Sequence, residues 1–146
     1  MKAVIQRVKS ASVSVDGRVA GRTGAGLLIL LGVGEADSSD DVAFMSDKIS
    51  NMRIFEDGQG KMNLSLLDMG GGALVVSQFT LYADTSRGRR PGFNLAAKPD
   101  KAKALYEEFA ESLRRRGIHT ETGEFGAHME VELVNEGPFT VILQSE

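Results

Sequence analysis

Two short segments carry the residues best suited to chemistry: residues 77–81, with the sequence SQFTL, and residues 135–140, with the sequence NEGPFT. The first contains two hydroxyl side chains, Ser77 and Thr80, which are candidate nucleophiles for ester hydrolysis. A hydroxyl nucleophile needs a base within hydrogen-bonding distance, and no histidine lies near this segment in the sequence. The chain also lacks a G-x-S-x-G nucleophile elbow. The residues alone therefore give little support to side-chain catalysis, and the alternative is an apolar strand that ends in polar residues.

The second segment places Gly137-Pro138 directly after an alternating strand pattern formed by Met129, Val131 and Leu133. Proline has no N–H group and interrupts a sheet ladder, so the strand must stop or bulge there. A cis peptide bond costs little before proline, and a preceding glycine escapes the steric limits that proline imposes. The dipeptide either directs its carbonyl groups out of the strand for a function or forms an ordinary turn with a trans bond. Spacing alone leaves both alternatives open.

Together, the two segments resemble the two signature motifs of the D-aminoacyl-tRNA deacylases, in the expected order and near the expected positions. A related branch of that family has proline at the position of Ser77, so the serine here argues against membership of that branch. The similarity covers nearly the whole chain. The further stretches that resemble the family are residues 6–8, 11–13, 26–33, 53–57, 60–63 and 83–91.

The resemblance implies an enzyme that hydrolyses the ester bond between a D-amino acid and the terminal adenosine of tRNA. It implies that Ser77, Gln78, Phe79 and Thr80 form the catalytic wall of the pocket. The backbone N–H groups of Phe79 and Thr80 would hold the carbonyl oxygen as it becomes an oxyanion. The chemistry would depend on the substrate's own 2′-hydroxyl group, which agrees with the missing base. No metal or organic cofactor is implied.

The resemblance also implies a homodimer with its active sites at the subunit interface. The Gly137-Pro138 bond would be cis, and each subunit's dipeptide would reach into the partner's pocket and reject L-amino acids through its backbone. Such a filter cannot exclude glycine, so glycyl-tRNA mischarged on tRNA-Ala is also an expected substrate. Arg7 is expected to support the Gly-Pro loop, and with Gly137 and Pro138 it makes up the expected substrate-binding set.

Two alternatives from other functional classes remain open at this point. One is a Ser/Thr-dependent hydrolase of small esters, and the other is a noncatalytic module that binds an RNA end. Arg87, Arg89 and Arg90 follow the first segment and either contact a few phosphates or form a solvated loop. The net charge of −3 argues against binding along long stretches of nucleic acid, because affinity for phosphate grows with the number of cations engaged.

The composition is that of one globular domain spanning residues 1–146, with 42% hydrophobic and 25% charged residues. Cysteine is absent, which excludes a disulfide framework, a thiol nucleophile and a zinc–thiolate site. His119 and His128 could bind a metal only together with carboxylates, and no such site is predicted. The N-terminus does not look like a signal peptide, and the longest apolar run is far shorter than the roughly 20 residues that span a bilayer. A cytoplasmic location is therefore expected.

The patterning predicts a fold built largely from antiparallel strands. Asp16-Gly17 is a strong hairpin signal between two alternating stretches. Residues 27–33 and 73–79 are apolar enough to be strands buried on both faces. Residues 129–134 and 139–144 alternate between apolar and polar side chains and predict two more strands.

Two helices interrupt these strands. Asp37 or Ser38 is predicted to cap the first, and the second is predicted to start after Lys98-Pro99-Asp100 and to stop at Gly117. Before the first helix, Gly32 and Gly34 lack the third glycine of a dinucleotide-binding loop, so this stretch is interpreted as a turn. The predicted class is α+β, with antiparallel sheets curling into a barrel-like core and two outer helices. The residues that recur at helical spacing and are predicted to face inward are Val42, Met45, Ile49, Met52, Ala102, Leu105, Phe109 and Leu113.

Overall fold

A computed structural model describes residues 1–145 and confirms the α+β fold class. The strands are β1 (Lys2–Val15), β2 (Arg18–Thr23), β3 (Gly26–Gly32), β4 (Phe55–Glu56), β5 (Met62–Leu64), β6 (Gly72–Ser77), β7 (Thr120–Thr122) and β8 (Glu130–Gln144). The helices are α1 (Ser39–Asn51), α2 (Leu66–Met69) and α3 (Pro99–Arg115). Six strands form one sheet that curls into a nearly closed barrel: five of them follow the order β2-β1-β3-β6-β7, and the sixth, β8, pairs with β1. Strands β4 and β5 form a separate hairpin.

Strand β1 organises the sheet because it pairs with three others. Its first half pairs with β3, its second half pairs with β2, and β8 pairs along both halves. The predicted hairpin between β1 and β2 is confirmed, since Asp16 and Gly17 have φ values of 50° and 77°. Two consecutive residues with positive φ are the signature of the turn that matches the twist of paired strands.

The sheet is mixed rather than wholly antiparallel, which corrects one detail of the prediction. Strand β6 runs parallel to β3 and also to β7. Parallel neighbours need a crossover connection, and the two long helices supply it: α1 lies between β3 and β6 in the chain, and α3 lies between β6 and β7. The two helical crossovers therefore make β6 parallel to its neighbours, and the alternation of apolar and polar side chains does not indicate strand direction.

The barrel closes between its end strands, β2 and β7, which contact each other without forming a ladder. The Glu121 carboxylate accepts a hydrogen bond of 3.1 Å from the Arg22 N–H group across this seam. Gly21 lies so close to the Thr122 carbonyl that no side chain would fit there. A close backbone approach and one charge-assisted hydrogen bond thus replace strand pairing at the seam.

Both predicted long helices are confirmed, together with their inward faces. Helix α1 begins after Ser38, whose side chain forms a capping box with Asp41, so Ser38 rather than Asp37 is the cap. Helix α3 begins at Pro99, two residues earlier than predicted, because the fixed φ of proline suits the first helical position, and it ends just before Gly117, whose φ is 89°. The four-residue α2 is absent from the prediction, because it is too short to show helical periodicity. Among the described residues, no helix is long and apolar enough to span a membrane.

The predicted strand over residues 73–79 is correct only as far as Ser77. Ser77 pairs with Leu31 in the last register of the β3–β6 ladder, and the Gln78 N–H group then donates to the Leu31 carbonyl at 2.8 Å. Because β3 ends at Gly32, the ladder has no further partner and the chain turns. Residues Phe79–Tyr82 form one 3-10 helix, named below the Phe79–Tyr82 turn.

The two strands predicted on either side of Gly137-Pro138 form one long strand, β8, with a large bulge. Gln6 pairs with Thr140 and Val8 pairs with Asn135, so residues 136–139 lie opposite the single residue Arg7. We name residues 136–139 the Gly-Pro bulge. The prediction that the strand must stop or bulge at the proline is confirmed as a bulge.

Candidate functional site

A cavity of about 610 Å³ opens beside the end of β6, and we name it the site cavity. The end of β6, the segment before α3, the first turn of α3 and the loop before β8 enclose it. Most of its wall is apolar, as is usual for a small-molecule site, and a few polar groups remain to orient a ligand. Its lining residues are Val33, Val76, Ser77, Gln78, Phe79, Phe93, Ala96, Ala97, Pro99, Ala102, Phe125, Gly126, Ala127, His128, Met129 and Val131.

We name residues 77–80 the SQFT segment, and three of its four residues lie in the wall of the site cavity. Ser77 and Gln78 are half-buried, and the exposed Phe79 ring packs edge-on against Phe93, with the ring centroids 5.0 Å apart. Thr80 is exposed and lies outside this lining. The Thr80 hydroxyl accepts a short hydrogen bond from the Gln78 side-chain amide. The group that contacts the Thr80 hydroxyl is therefore an amide, which cannot accept a proton as a general base would.

Two backbone donors at the start of the Phe79–Tyr82 turn are free. Within residues 1–145, the N–H groups of Phe79 and Thr80 donate no hydrogen bond, because the turn's internal bonds begin at Leu81 N–H. The first N–H groups of any helical turn lack acceptors within that turn. Two adjacent unpaired donors next to a concave apolar wall form an arrangement that can hold a developing negative charge on oxygen.

The Gly137-Pro138 dipeptide lies apart from the site cavity of its own chain. Both residues are exposed at the Gly-Pro bulge, the peptide bond between them is cis, and neither lines the cavity. The Asn135 side-chain amide closes the bulge by donating to the carbonyl groups of Arg7, at 2.9 Å, and Phe139, at 3.0 Å. Asn135 belongs to the NEGPFT segment, but its role depends on a bulge that sequence spacing does not show.

Arg7 is buried beneath this bulge, with only 8% of its surface exposed. Its guanidinium donates to the Ile54 carbonyl at 2.7 Å and to the Glu136 carbonyl at 3.3 Å, and it lies 4.9 Å above the Phe139 ring. The Glu136 carboxylate is 4.0 Å from Arg7 Nε and half-exposed. A buried arginine is stable only when its charge is compensated and its donors are satisfied. The contact with Ile54 joins distant parts of the chain, so no sequence motif indicates it.

The three arginines considered as phosphate contacts, Arg87, Arg89 and Arg90, occupy an exposed loop next to the cavity wall. Residues 84–92 form this arginine loop, and Asp84 and Gly92 close it through two backbone hydrogen bonds of 2.7 and 2.9 Å. Hydrogen bonds from Ser86 lower the pKa of the Asp84 carboxyl below its usual value. Among the described residues, no ion pair involves Arg87, Arg89 or Arg90.

The two histidines lie in different places. His128 lines the site cavity, whereas the exposed His119 forms a 2.8 Å hydrogen bond with Glu121 near the barrel seam. The hydrogen bond from His119 is the main reason why the pKa of the Glu121 carboxyl is lowered. In the part of the chain that the structure describes, no three His, Asp or Glu side chains cluster closely enough to hold a metal ion.

Comparisons with known proteins agree over the whole chain. The family model for D-Tyr-tRNA(Tyr) deacylase matches residues 4–144. The D-aminoacyl-tRNA deacylase of Thermosipho africanus is 56% identical over 146 residues, covering 100% of this chain and 98% of that protein. Those of Bacillus velezensis and Thermus aquaticus are both 57% identical, covering 100% and 99% of this chain and 99% and 95% of the relatives.

Solved structures show the same fold. The structure of the c-Myc DNA Unwinding Element Binding Protein superposes with a TM-score of 0.93 at 41% identity, covering 100% of this chain and 99% of that one. A probable eukaryotic D-amino acid tRNA deacylase superposes with a TM-score of 0.82, covering 97% of both chains. At 18% identity, this second likeness concerns the fold alone.

Proposed function

Because the chain belongs to the D-aminoacyl-tRNA deacylase family, whose members hydrolyse the ester bond of aminoacyl-tRNA, we propose that its site cavity takes the esterified 3′ end of tRNA and rejects L-amino acids. The SQFT segment would form the reacting wall, and the Gly137-Pro138 dipeptide of a second subunit would form the chiral filter. The observation that carries this proposal is the pair of free N–H groups at Phe79 and Thr80 beside an apolar cavity.

The free N–H groups would act on the carbonyl oxygen of the ester. Attack by water converts this oxygen into an oxyanion, and preorganised donors stabilise the anion more than the neutral ground state. In other enzymes, losing one such donor typically costs about 10²–10³ in rate. Backbone donors cannot be removed by changing a side chain, so this assignment predicts tolerance to mutation at Thr80.

The 2′-hydroxyl group of the terminal adenosine would assist the reaction in place of a side-chain base. It lies next to the ester in the substrate itself, and such intramolecular placement can reach very high effective molarities. The rival hypothesis, a Ser/Thr esterase, requires a base to activate Thr80 or Ser77. The hydrogen bond from the Gln78 amide to Thr80 counts against that rival, because an amide does not take up a proton.

The proposed chiral filter acts by shape. Gly137 and Pro138 carry no charged side chain, so only their backbone and the proline ring could meet a substrate. Buried Arg7 and the Asn135 amide hold the flanking residues in place, which would give the filter the rigidity that steric exclusion needs. Glycine has no side chain to exclude, and we therefore propose that glycyl-tRNA mischarged on tRNA-Ala is also cleaved.

A homodimer would bring the filter to the cavity. In one chain the dipeptide does not line its own site cavity, so a dipeptide from a second copy is needed to complete the site. Strand β8 also exposes the apolar side chains of Val131, Val134 and Ile142, the last of them 77% exposed. Large apolar side chains on the outside of a strand are typical of a surface that another chain covers.

The arginine loop would contact phosphates near the tRNA acceptor end. Because tRNA would be the partner, we also propose a cytoplasmic location.

A second candidate function is nucleic-acid binding without cleavage, because Arg87, Arg89 and Arg90 are exposed and form no ion pair among residues 1–145. One of the similar solved structures is that of the c-Myc DNA Unwinding Element Binding Protein, whose name describes DNA binding. Ester cleavage separates the two candidates.

The deciding experiment follows ester loss from matched D-tyrosyl-, L-tyrosyl- and glycyl-tRNA. We expect rapid cleavage of the D ester, measurable cleavage of the glycyl ester and almost none of the L ester. A thousandfold preference for D would correspond to about 4 kcal/mol of differential transition-state binding. Comparable rates on the D and L esters would contradict the steric filter, and binding of all three without cleavage would favour the second candidate.

A further inference from the structure

The Phe79–Tyr82 turn is pressed against the end of β3, where two glycines make room for it. A Cβ atom added at Gly34 would lie 2.8 Å from the Tyr82 ring. One added at Gly32 would lie 3.0 Å from the Gln78 carbonyl oxygen and 3.1 Å from Leu81 Cβ. The turn therefore rests directly on backbone, and Tyr82 is the residue that makes the closest approach.

The Tyr82 side chain is tied to a buried carboxylate. Its hydroxyl donates to Asp37 Oδ2 at 3.3 Å, and the same carboxylate accepts a hydrogen bond of 2.6 Å from the Gly34 N–H group. Asp37 is only 8% exposed, and its other oxygen lies 2.5 Å from the Met1 ammonium group. Lys2 Nζ lies 4.6 Å from the centroid of the Tyr82 ring. Asp37 thus joins the Phe79–Tyr82 turn, the backbone at Gly34 and the N-terminal residue Met1.

The charges around the phenol keep it a hydrogen-bond donor. Burial and the nearby negative charge of Asp37, with a smaller contribution from Asp41, raise the pKa of the Tyr82 hydroxyl far above its ordinary value. Ionisation of the phenol would place a second negative charge beside the Asp37 carboxylate. The Tyr82 hydroxyl therefore keeps its proton and donates a hydrogen bond to the Asp37 carboxylate.

The opposite side of the turn faces solvent, and its side-chain contacts are those of Phe79 with Phe93 and of Thr80 with Gln78. Phe79 and Thr80 are exposed, and two backbone hydrogen bonds join the turn to its flanking residues, from Leu81 N–H to the Gln78 carbonyl at 3.2 Å and from Ala83 N–H to the Thr80 carbonyl at 3.1 Å. A single 3-10 turn has weak hydrogen-bond geometry of its own. Its orientation must therefore come from the residues at its ends.

We propose that Tyr82 and Asp37 are positioning residues for the reaction, because together they fix the Phe79–Tyr82 turn and thereby the direction of its free N–H groups. The inference rests on the proposed role of the Phe79 and Thr80 N–H groups as oxyanion donors. Neither Tyr82 nor Asp37 touches the ester in this proposal. A displacement of the donors by even about 1 Å would weaken transition-state stabilisation, since it depends on preorganised distances.

Tyr82→Phe is the central variant, because it removes one hydroxyl and keeps the ring that packs on Gly34. Tyr106→Phe is the matched control: the Tyr106 hydroxyl also forms a hydrogen bond, but it donates to the Val75 carbonyl at 3.0 Å instead of to a residue that contacts the turn. Asp37→Asn and the double variant with Tyr82→Phe test whether the two residues act together. Kinetics on D-tyrosyl-tRNA and the NMR signals of the Phe79 and Thr80 amides are measured on proteins shown to be folded.

For Tyr82→Phe we expect kcat to fall about tenfold, with KM within about twofold, since only transition-state contacts are weakened. The amide signals of Phe79 and Thr80 should shift or broaden. Tyr106→Phe should keep both kinetic constants within about twofold even if its unfolding midpoint drops further. The double variant should be no slower than Asp37→Asn alone.

Each contrary result has a distinct meaning. Unchanged amide signals in Tyr82→Phe would overturn the anchoring inference and leave the proposed oxyanion donors untouched. Altered amide signals with a normal kcat would overturn the donor role itself, and the positioning role with it. An equal loss of kcat in Tyr106→Phe would show that general destabilisation, rather than the Tyr82–Asp37 pair, limits the rate.

Discussion

Thr80 carries the side chain that most resembles a nucleophile, and its surroundings decide how it should respond to mutation. Its hydroxyl accepts a hydrogen bond from Gln78, and it lies outside the lining of the site cavity. Losing a true nucleophile removes orders of magnitude from a rate. We expect Thr80→Ala, if folded, to keep D-tyrosyl-tRNA cleavage within about tenfold, or about 1.4 kcal/mol, of the wild type.

The substrate offers the matching test of the same mechanism. A tRNA that ends in 2′-deoxyadenosine, with its ester on the 3′ oxygen, lacks the hydroxyl that is proposed to assist. Single-turnover measurements should show very slow cleavage of this substrate by the wild-type protein. An inactive Thr80→Ala variant together with normal cleavage of the deoxy substrate would restore Thr80 as the nucleophile.

Arg7 is the residue whose loss should affect both stability and selectivity. Arg7→Ala leaves the carbonyl groups of Ile54 and Glu136 without their charged donor, and we expect the free energy of unfolding to fall by about 2–3 kcal/mol. The ratio of D to L cleavage should fall as well, because the Gly-Pro bulge loses its support. Arg115→Ala, which removes an exposed arginine on α3, is the control. Denaturant titration and ester loss give the two readouts, and an unchanged D to L ratio would contradict the role of Arg7.

At the scale of elements, what the sequence predicted well is what local physics determines. The inward faces of α1 and α3, the hairpin at Asp16-Gly17 and the bulge at Gly137-Pro138 each follow from periodicity, positive φ or a missing N–H group. The choice of the SQFTL and NEGPFT segments came from family resemblance. That the SQFTL segment lines a cavity and that the NEGPFT segment forms a bulge of four residues is visible only in the folded chain.

The features that escaped prediction depend on contacts between distant residues. The strand through residues 73–79 stops at Ser77 because β3 ends, and apolar composition carries no information about where a partner ends. The parallel pairings of β6 depend on helical crossovers. The contact between Arg7 and Ile54 and the bond between Tyr82 and Asp37 each join residues that are more than 40 positions apart and that no motif links.

Gly34 provides a test of how closely the Phe79–Tyr82 turn must fit β3. In Gly34→Ala the new Cβ atom would lie 2.8 Å from the Tyr82 ring, so the ring or the loop must move. Overpacking of this kind typically costs about 1–3 kcal/mol, and we expect that loss in unfolding free energy together with a lower kcat. Gly24→Ala is the control, since no atom lies within 4 Å of its added Cβ, and it should stay within about 0.5 kcal/mol. Equal unfolding free energies and equal kcat values for the two variants would show that Tyr82 does not pack tightly against Gly34.

At the scale of the whole molecule, charge limits how tRNA can be held. The net charge is −3, and the arginine loop contributes its three exposed arginines as one small cluster. Single-strand contacts give a salt slope of about −0.7 per phosphate neutralised, so two or three contacts predict a slope of about −1.4 to −2. Binding of deacylated tRNA, measured by fluorescence across a salt series, checks this value. Replacing Arg87, Arg89 and Arg90 together by alanine should flatten the slope, and a wild-type slope steeper than about −5 would require a larger basic surface.

The proposed dimer makes the strongest demand on the whole molecule, because it requires every active site to use two chains. A Gly137→Val variant would distort the dipeptide and add a side chain that would block the partner's cavity, since Gly137 has φ of 137° and a Cβ there would lie 2.9 Å from the Phe139 N atom. An Ala127→Trp variant would fill the site cavity. Each homodimer should be inactive, for a different reason.

Mixing the two inactive variants should restore activity if the sites are shared. In each mixed dimer one site would combine the intact dipeptide of the Ala127→Trp chain with the intact cavity of the Gly137→Val chain. Random exchange of subunits in a two-fold symmetric dimer would therefore recover about a quarter of the wild-type sites. Cleavage of D-tyrosyl-tRNA is measured before and after exchange, and native mass spectrometry reports the mixed dimers. Mixed dimers that form without any recovered activity would contradict a site shared between two subunits.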